Sequence, residues 1–309
     1  MRILYLTGIW RKMAETVRID RELISGFRPA RKRDGHKNDF GTALICAGSE
    51  FMIGAAVLAC SAALRSGAGL VKVFSEARTL NAVSCIEPCA LLELRPDGTS
   101  GLLRKASGLC TKVSSVLTGS GMPADHGDME ALTEVFLRDA ENIVLDAGAL
   151  SDKPDVLSRL KERMLERKVP AVITPHLGEF ARMTKLTTHE VSENAEELAL
   201  EFASGNNCVV VLKNYKNMVA VPDGRLYVYE DPNSGLSKGG SGDVLAGLIT
   251  GFLAQGMEPY KAACSAVFIH SKAGRAAADD IGVRYMLPTD LLNYLPEGYQ
   301  EAGWSEDDD

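Results

Sequence analysis

Short apolar runs alternate along the chain with longer segments in which apolar residues recur at helical spacing. Helical periodicity covers Gly54–Arg65, Met129–Arg138 and Asp155–Arg167, among other segments. Strands that alternate with helices in this way predict an α/β fold with a mostly parallel central sheet and helices on both faces. The runs that have the length and composition of strands are Ala43–Ala47, Leu70–Phe74, Ala90–Leu94, Ser115–Thr118, Asn142–Asp146, Ala171–Thr174 and Cys208–Leu212.

The pattern changes after Lys213. Two further strand-like runs, Asn217–Val221 and Leu226–Tyr229, are separated by a Pro-Asp-Gly sequence at 222–224. Proline, aspartate and glycine are typical turn residues, so this segment predicts a β-hairpin.

Two helices are expected after the hairpin, one from about Ser241 to Gln255 and one from Pro259 to Asp279. Proline is favoured at the first position of a helix. No long linker or repeat interrupts the sequence. We therefore predict a single domain over residues 20–296, preceded by an N-terminal extension (1–19) and followed by an acidic tail (297–309).

Composition places the chain among ordinary globular proteins, with 46% apolar and 24% charged residues in 309. No apolar run reaches the roughly 18–20 residues that span a bilayer, so no membrane partner is expected. The apolar patch at the start is followed, rather than preceded, by Arg and Lys, which argues against a signal peptide. Either Met1 or Met13 can be the true start.

A net charge of −7 argues against nucleic acid as a partner. One segment is nevertheless strongly basic. It has two interpretations, a solvated basic loop or a surface near an anionic ligand, and the sequence leaves both open. Its cationic residues are Arg28, Arg31, Lys32, Arg33 and Lys37.

The chain has seven cysteines, an odd number, and no CxxC motif. Most of them lie in apolar segments. This usage favours buried thiols in a reducing cytoplasm over disulfides or a zinc site.

The clearest chemical motif is a glycine-rich turn that opens a helix, Lys238-Gly-Gly-Ser-Gly-Asp243. Glycines let backbone N–H groups approach an anion, and the positive end of a helix stabilises phosphate charge. We predict an anion hole at Gly240, Ser241 and Gly242. An acidic residue there would repel phosphate unless it accepts a proton from an attacking hydroxyl, so we predict that Asp243 is a catalytic base. The simpler alternative is that Asp243 only favours a helix N-terminus.

A second motif, Thr174-Pro-His176-Leu-Gly-Glu179, follows a predicted strand. The proline forces an extended exit and the glycine permits a tight turn, so His176 is expected to project over a cleft at the strand end. A lone histidine in a loop is more often an ordinary surface residue. Glu179 is expected to open the next helix.

Several of these motifs resemble the NAD(P)H-hydrate dehydratases of the ribokinase-like superfamily. The GGSGD turn is similar to the superfamily's anion-hole and catalytic-base motif, and TPHLGE resembles the family's TPHPGE. The similarity extends to the segments 36–41, 47–56, 64–71, 119–121, 144–150 and 213–217. It departs from the family pattern at Gly148, Leu177 and Asn214.

The resemblance implies a ribokinase-like fold and a nucleotide-dependent dehydration. ATP or ADP would phosphorylate the ring hydroxyl of the S-epimer of hydrated NADH or NADPH, and phosphate would then leave, restoring the reduced cofactor. Mg²⁺ would bridge the nucleotide phosphates. The implied partners are hydrated NADH or NADPH, an adenine nucleotide, a separate NAD(P)H-hydrate epimerase and further copies of the chain in a homo-oligomer.

The resemblance also implies residue roles. The hydrated dinucleotide would contact Ala55, Gly121, His176 and Asp243. Asp146 and Glu179 are candidates for a metal site or for a structural role. The adenine nucleotide would contact Lys213, Asn214, Tyr215, Lys216, Asn217 and Gly242.

Two other functions remain open from the sequence. One is a ribokinase-like kinase for a vitamin precursor or a sugar, which would share Asp243 but gains no support from Thr174–Glu179. The other is a catalytically silent nucleotide-binding protein, against which the intact GGSGD turn argues. The preferred donor (ATP or ADP) and the preferred hydrate (of NADH or NADPH) are open as well.

Overall fold

The computed structural model describes residues 16–123 and 127–304. Its centre is a ten-stranded sheet in the order β1-β10-β9-β8-β7-β6-β5-β2-β3-β4. All neighbouring strands are parallel except β9, which runs antiparallel to both β8 and β10. The strands are β1 (Thr16–Arg18), β2 (Thr42–Cys46), β3 (Leu70–Ser75), β4 (Leu91–Leu94), β5 (Ser115–Thr118), β6 (Asn142–Leu145), β7 (Ala171–Ile173), β8 (Cys208–Leu212), β9 (Lys216–Ala220) and β10 (Leu226–Glu230).

Helices cover both faces of this sheet. Three short 3₁₀ helices, Lys37–Phe40, Ala147–Ala149 and Ser234–Leu236, lie in connections. The α-helices are α1 (Arg21–Ser25), α2 (Ile53–Arg65), α3 (Ala77–Ile86), α4 (Thr99–Cys110), α5 (Gly127–Asp139), α6 (Pro154–Leu165), α7 (Leu177–Thr184), α8 (Thr188–Glu193), α9 (Ala195–Asn206), α10 (Ser241–Ala254), α11 (Pro259–Ile281), α12 (Pro288–Asn293) and α13 (Leu295–Glu301).

The central strands are buried on both faces, because every residue of β5 and β8 is inaccessible to solvent. Continuous apolar runs are typical of such parallel strands. One core layer packs α2, α10 and α11 against the sheet around Phe252, and the other packs α5, α7 and α9 around Phe136 and Phe180. The predicted α/β class with a mostly parallel sheet is confirmed.

Helices α2 and α10 pack closely because α10 carries glycines on the contact face. A Cβ atom at Gly247 would lie 2.3 Å from the carbonyl oxygen of Ala59, and one at Gly251 would lie 1.9 Å from Ser66 Oγ. Both helices begin at the carboxyl edge of the sheet and end at its amino edge. This packing therefore fixes the start of α10 relative to the strand ends.

The folded chain extends beyond both predicted domain limits. Strand β1 lies before residue 20 and pairs in parallel with β10. At the other end, α13 runs past residue 296, and Trp304 is buried with its Nε1–H donated to the carbonyl of Ile24. A three-residue strand is too short to show a periodic pattern, and an acidic composition concealed the packing of α13. The alternative start Met13 and residues 305–309 lie outside the described residues.

Within the described ranges, no helix is both long enough and apolar enough to cross a lipid bilayer. All seven cysteines are free thiols, and Cys85 and Cys89 are exposed whereas the other five are buried.

Candidate active site

A cavity of about 720 Å³ opens at the carboxyl edge of the sheet. Its walls come from the residues that directly follow three neighbouring strands, Asp146 after β6, His176 after β7 and Lys213 after β8, together with the start of α10. Ligands of parallel α/β sheets bind at this edge. A parallel bridge between His176 and Lys213 continues the pairing of β7 and β8 into the cavity wall.

The glycine-rich turn forms the N-terminus of α10, as predicted. Gly240 has φ +108°, and a Cβ atom there would lie 2.7 Å from Leu58 Cδ1, so the position needs glycine for both conformation and space. The N–H of Ser241 donates to the carbonyl of Lys238 at 3.2 Å. Among the described residues the N–H of Gly242 has no acceptor, which leaves it available to an anion.

Asp243 lies in the first turn of α10 and lines the cavity. Burial, reinforced by the nearby carboxylate of Asp146, raises the pKa of Asp243 to about 7, although Lys213 and Ser120 act in the opposite direction. A carboxylate with a pKa near neutrality is suited to accept a proton at neutral pH.

A buried ion pair stands beside Asp243. The ammonium of Lys213 is 3.0 Å from Asp146 Oδ1, and hydroxyls of Thr174 and Ser120 donate to the two oxygens of the same carboxylate at 2.7 and 2.8 Å. Burial opposes ionisation of Asp146, but Lys213 and the two hydroxyls hold the pKa of this carboxyl below its usual value. The ammonium also faces the anion hole, because a Cβ atom at Gly242 would lie 3.3 Å from Lys213 Nζ.

His176 caps helix α7. Its Nδ1 accepts the N–H groups of Gly178 and Glu179 at 3.0 and 3.2 Å, which leaves the ring proton on Nε2. The buried carboxylate of Glu179 accepts the N–H of His176 at 2.9 Å and so completes a capping box. The imidazole is half exposed and lines the cavity, with its Nε2 3.4 Å from Glu179 Oε1. Glu179 has a structural role here.

Ala55 and Gly121 lie side by side at the same edge of the sheet, next to the cavity rather than in its wall. Gly121 follows β5 with φ +63°, and a Cβ atom there would lie 2.4 Å from the Cβ of Ala55. Any larger residue at position 121 would therefore collide with the start of α2.

The segment after β8 divides into two groups. Asn214, Tyr215 and Asn217 line the cavity with Lys213. Lys216 does not line it, because its ammonium is paired with Glu196 at 2.6 Å on helix α9. The geometry thus gathers the predicted nucleotide residues at one wall with this one exception.

Comparison with known proteins agrees with this geometry. The sequence profile of the NAD(P)H-hydrate dehydratase family matches residues 43–297. The chain belongs to the NAD(P)H-hydrate dehydratase family. The family predicted from the sequence is therefore confirmed, and the family match favours a dehydratase over a vitamin or sugar kinase.

Individual relatives show how far the similarity extends. The chain is 32% identical over 272 residues to the ADP-dependent (S)-NAD(P)H-hydrate dehydratase of Bacillus subtilis, covering 87% of this chain and 92% of that protein. A crystal structure of the Bacillus subtilis ADP/ATP-dependent enzyme, co-crystallised with ATP/Mg²⁺, superposes with a TM-score of 0.80 at 30% identity over 91% of this chain and 97% of that chain.

A third relative is longer than this chain. The bifunctional NAD(P)H-hydrate repair enzyme of Moorella thermoacetica is 31% identical over 300 residues, which cover 94% of this chain but 56% of that protein. The chain therefore spans about half the length of its bifunctional relatives.

Among the residues that sequence reasoning missed are His270, which lines the cavity, and Ser120, which is buried behind it. His270 of α11 is buried, contacts the carbonyl of Ser241 through Nε2 at 3.0 Å, and burial lowers its pKa to about 4. The neutral ring therefore donates to the anion-hole turn from below. Ser120 holds Asp146 from the turn after β5. A histidine inside an alanine-rich helix was the only available signal for the first of these.

The described residues offer few free ligands to a metal ion. They contain no group of three His, Cys, Asp or Glu side chains placed to hold one. Both oxygens of Asp146 already accept hydrogen bonds from Thr174, Ser120 and Lys213. Residues 16–123 and 127–304 therefore do not by themselves build a cage for Mg²⁺, which commonly binds through substrate phosphates and water.

Proposed function

We propose that this chain restores NADH and NADPH from the S-epimers of their hydrates, with ATP or ADP as the phosphoryl donor. The observation that carries the proposal is one cluster at the start of α10. Asp243, with its pKa of about 7, lies beside the unpartnered N–H of Gly242 and the ammonium of Lys213. A base, a hydrogen-bond donor and a positive charge are what a phosphoryl transfer to a hydroxyl requires.

The proposed reaction has two steps. The ionised Asp243 takes the proton of the ring hydroxyl while its oxygen attacks the terminal phosphorus of the nucleotide, and the shortened nucleotide leaves. The carbon–oxygen bond of the phosphorylated ring then breaks, phosphate departs and an adjacent carbon loses a proton, which restores the double bond. Within the predicted anion hole (Gly240, Ser241 and Gly242), the available N–H of Gly242 stabilises the charge of the transferred group, since the N–H of Ser241 donates to Lys238.

Two sub-sites follow from the positions of the side chains. Lys213, Asn214, Tyr215 and Asn217 form the wall that would hold the adenine nucleotide. Ala55, Gly121 and the half-exposed side chain of His176 would hold the hydrated dinucleotide. Asp243 lies between the two groups. The pairing of Lys216 with Glu196 gives Lys216 a supporting role for the hairpin rather than direct contact with phosphate.

We extend the proposal to the partners of the reaction. Mg²⁺ would reach the site on the nucleotide's own phosphates and neutralise part of their charge. An epimerase would supply the S-epimer, a homo-oligomer would be the assembled form, and the free thiols fit a reducing cytoplasm.

Recovery of absorbance by the reduced nicotinamide, measured with hydrated NADH and hydrated NADPH and with ATP or ADP, tests the proposal. Asp243→Asn should bind the nucleotide normally and turn over about 10²–10⁴-fold more slowly, the usual loss for a general base. The matched control is Asp279→Asn, an exposed carboxyl on α11, which should keep normal turnover.

Three results would contradict the proposal in different ways. A phosphorylated product that accumulates in solution would identify a kinase. Nucleotide binding without any turnover would identify a silent binding protein. Near-normal turnover of Asp243→Asn would remove Asp243 as the base while leaving the dehydratase activity in place.

A further inference from the structure

A second cavity, of about 1190 Å³, lies at the opposite edge of the sheet from Asp243. Phe40 and Gly67 line it and directly precede β2 and β3, whereas Gln255 lines it from the end of α10. Nothing in the proposed dehydration uses these residues. The cavity is larger than the roughly 300–1,000 Å³ of most small-molecule sites.

The charge of this cavity is opposite to that of the whole chain. No Asp or Glu is among its lining residues within the described chain, although the net charge of the protein is −7. Like charges gathered in one concavity repel one another, and a bound anion relieves that repulsion. The cationic lining residues are Arg28, Arg31, Lys32, Arg33 and Arg65.

Two of the five cations are held in place by the fold. Arg31 donates to the carbonyl of Gly67 at 2.8 Å, and its guanidinium lies 4.1 Å above the ring of Phe40. Gly67 has φ +99°, and a Cβ atom there would come within 3.2 Å of Arg31 Nη1. Arg65 is fixed by an ion pair of 2.7 Å with Glu87.

Two other cationic side chains of the lining remain available to a ligand. Within the described ranges, Lys32 and Arg33 form no side-chain hydrogen bond or ion pair. They lie on the wall that carries the fixed Arg31. The aromatic side chains of Tyr299 and Trp304 also line the cavity. Free cationic donors in a cavity fit a ligand that carries several phosphates.

We propose that this cavity is a second binding site, separate from the dehydratase site, for a polyphosphate-bearing small molecule of the nucleoside triphosphate class. Lys32 and Arg33 bind the phosphates, and Arg31 holds the loop in the position that presents them. The basic segment, which the sequence left open as a solvated loop or an anion site, is an anion site.

Trp304 supplies a local probe, because the chain has two tryptophans and Trp10→Phe leaves Trp304 as the only one. In this background, fluorescence is titrated separately with inorganic tripolyphosphate and with ATP, without any hydrated cofactor. We expect a saturable change with tripolyphosphate. Tighter binding of ATP than of tripolyphosphate would show that Tyr299 and Trp304 contact the base. Equal binding of the two ligands would show that the phosphates alone are recognised.

The double variant Lys32→Gln, Arg33→Gln should weaken this binding at least about 10-fold, because charge-assisted hydrogen bonds are lost. The matched control, Lys112→Gln with Lys168→Gln, makes the same change in net charge at exposed positions outside the cavity and outside the basic segment, and should change affinity less than about 2-fold, since exposed charges away from the site are screened. Both double variants should keep dehydratase turnover, which also shows that they are folded.

Absence of a saturable Trp304 signal with either ligand would overturn the proposal. Equal weakening in both double variants would overturn it too, since it would reveal nonspecific attraction to positive charge. Because the titration contains no hydrated cofactor, either failure leaves the proposed dehydratase function untouched, and a failed dehydratase assay leaves this site untouched.

Discussion

The carboxyl group of Asp243 is held in a setting that disfavours its charge. An unfolded aspartate titrates near 3.8, whereas burial moves the pKa of the folded Asp243 to about 7. Between these pH values the folded state binds more protons than the unfolded state, so the free energy of unfolding falls as pH rises. The raised pKa that suits Asp243 to the proposed role of base therefore lowers the stability of the chain at neutral pH.

Removing this charge should stabilise the protein. We expect Asp243→Asn to have a higher Tm than the unaltered chain, with a difference that grows from about pH 4 to pH 7 and is constant above pH 7. Thermal unfolding across this range measures the difference, with Asp279→Asn as the control that should show no such trend. A difference that shrinks toward pH 7 would mean that Asp243 is stabilised as an anion.

The sequence predicted Asp243, His176 and Lys213 at the cavity because each directly follows a strand or opens a helix. It could not distinguish Lys213 from Lys216, since the distinction depends on Glu196, which α9 brings to Lys216 through tertiary packing. The pairing of Lys213 with Asp146 was missed for the same reason. Partners that are far apart in sequence leave no local pattern.

At the scale of elements, the close approach of α2 and α10 positions the glycine-rich turn at the start of α10. Gly247→Ala would place a Cβ atom 2.3 Å from the carbonyl of Ala59, so the helices must separate. We expect a loss of about 1–3 kcal/mol in the free energy of unfolding, the usual cost of overpacking. Urea denaturation measures it.

The control for this prediction is Gly108→Ala on α4, where an added Cβ would meet nothing within 4 Å. Alanine is a better helix former than glycine, so this variant should gain about 0.5–1 kcal/mol. If both variants are equally stable or if Gly247→Ala gains stability, the glycine at 247 does not limit the distance between the helices.

Elements with a strong repeating pattern were predicted best. Strands β5 and β8 begin and end at the predicted residues, because apolar runs bounded by polar residues define both limits. Of the hairpin strands, β9 is displaced by one residue, and β10 begins at the predicted residue but is one residue longer. Strand β1 carried no signal, since three residues of an edge strand are defined by their partner β10 and not by their own composition.

At the scale of the whole molecule, the residues of the two proposed sub-sites lie at one edge of the sheet in separate places. Ala55 and Gly121 lie beside β5, and the nucleotide wall lies beyond β7 and β8. Only the reactive ends of the two ligands need to approach, to about 3 Å. We therefore expect NADPH and an adenine nucleotide to bind at the same time.

Calorimetric titration of NADPH into the protein saturated with ATP measures this directly. Simultaneous binding predicts one NADPH per chain with an affinity close to that of the free protein. The control is titration into ATP-saturated His176→Ala, which removes the half-exposed imidazole proposed to contact the dinucleotide and should weaken NADPH binding alone. Strict competition between ATP and NADPH would instead support a single nucleotide pocket.

The hydrogen bond from Trp304 to the carbonyl of Ile24 joins residues that are 280 positions apart. A ribosome that adds about 5–20 residues per second needs roughly 14–56 s to travel between them. Strand β1 likewise cannot pair with its neighbouring strand until β10 has been synthesised. Until these partners have been synthesised, β1 and the carbonyl of Ile24 in the nascent chain lack the native contacts described here. The last steps of folding therefore come after most of translation is complete.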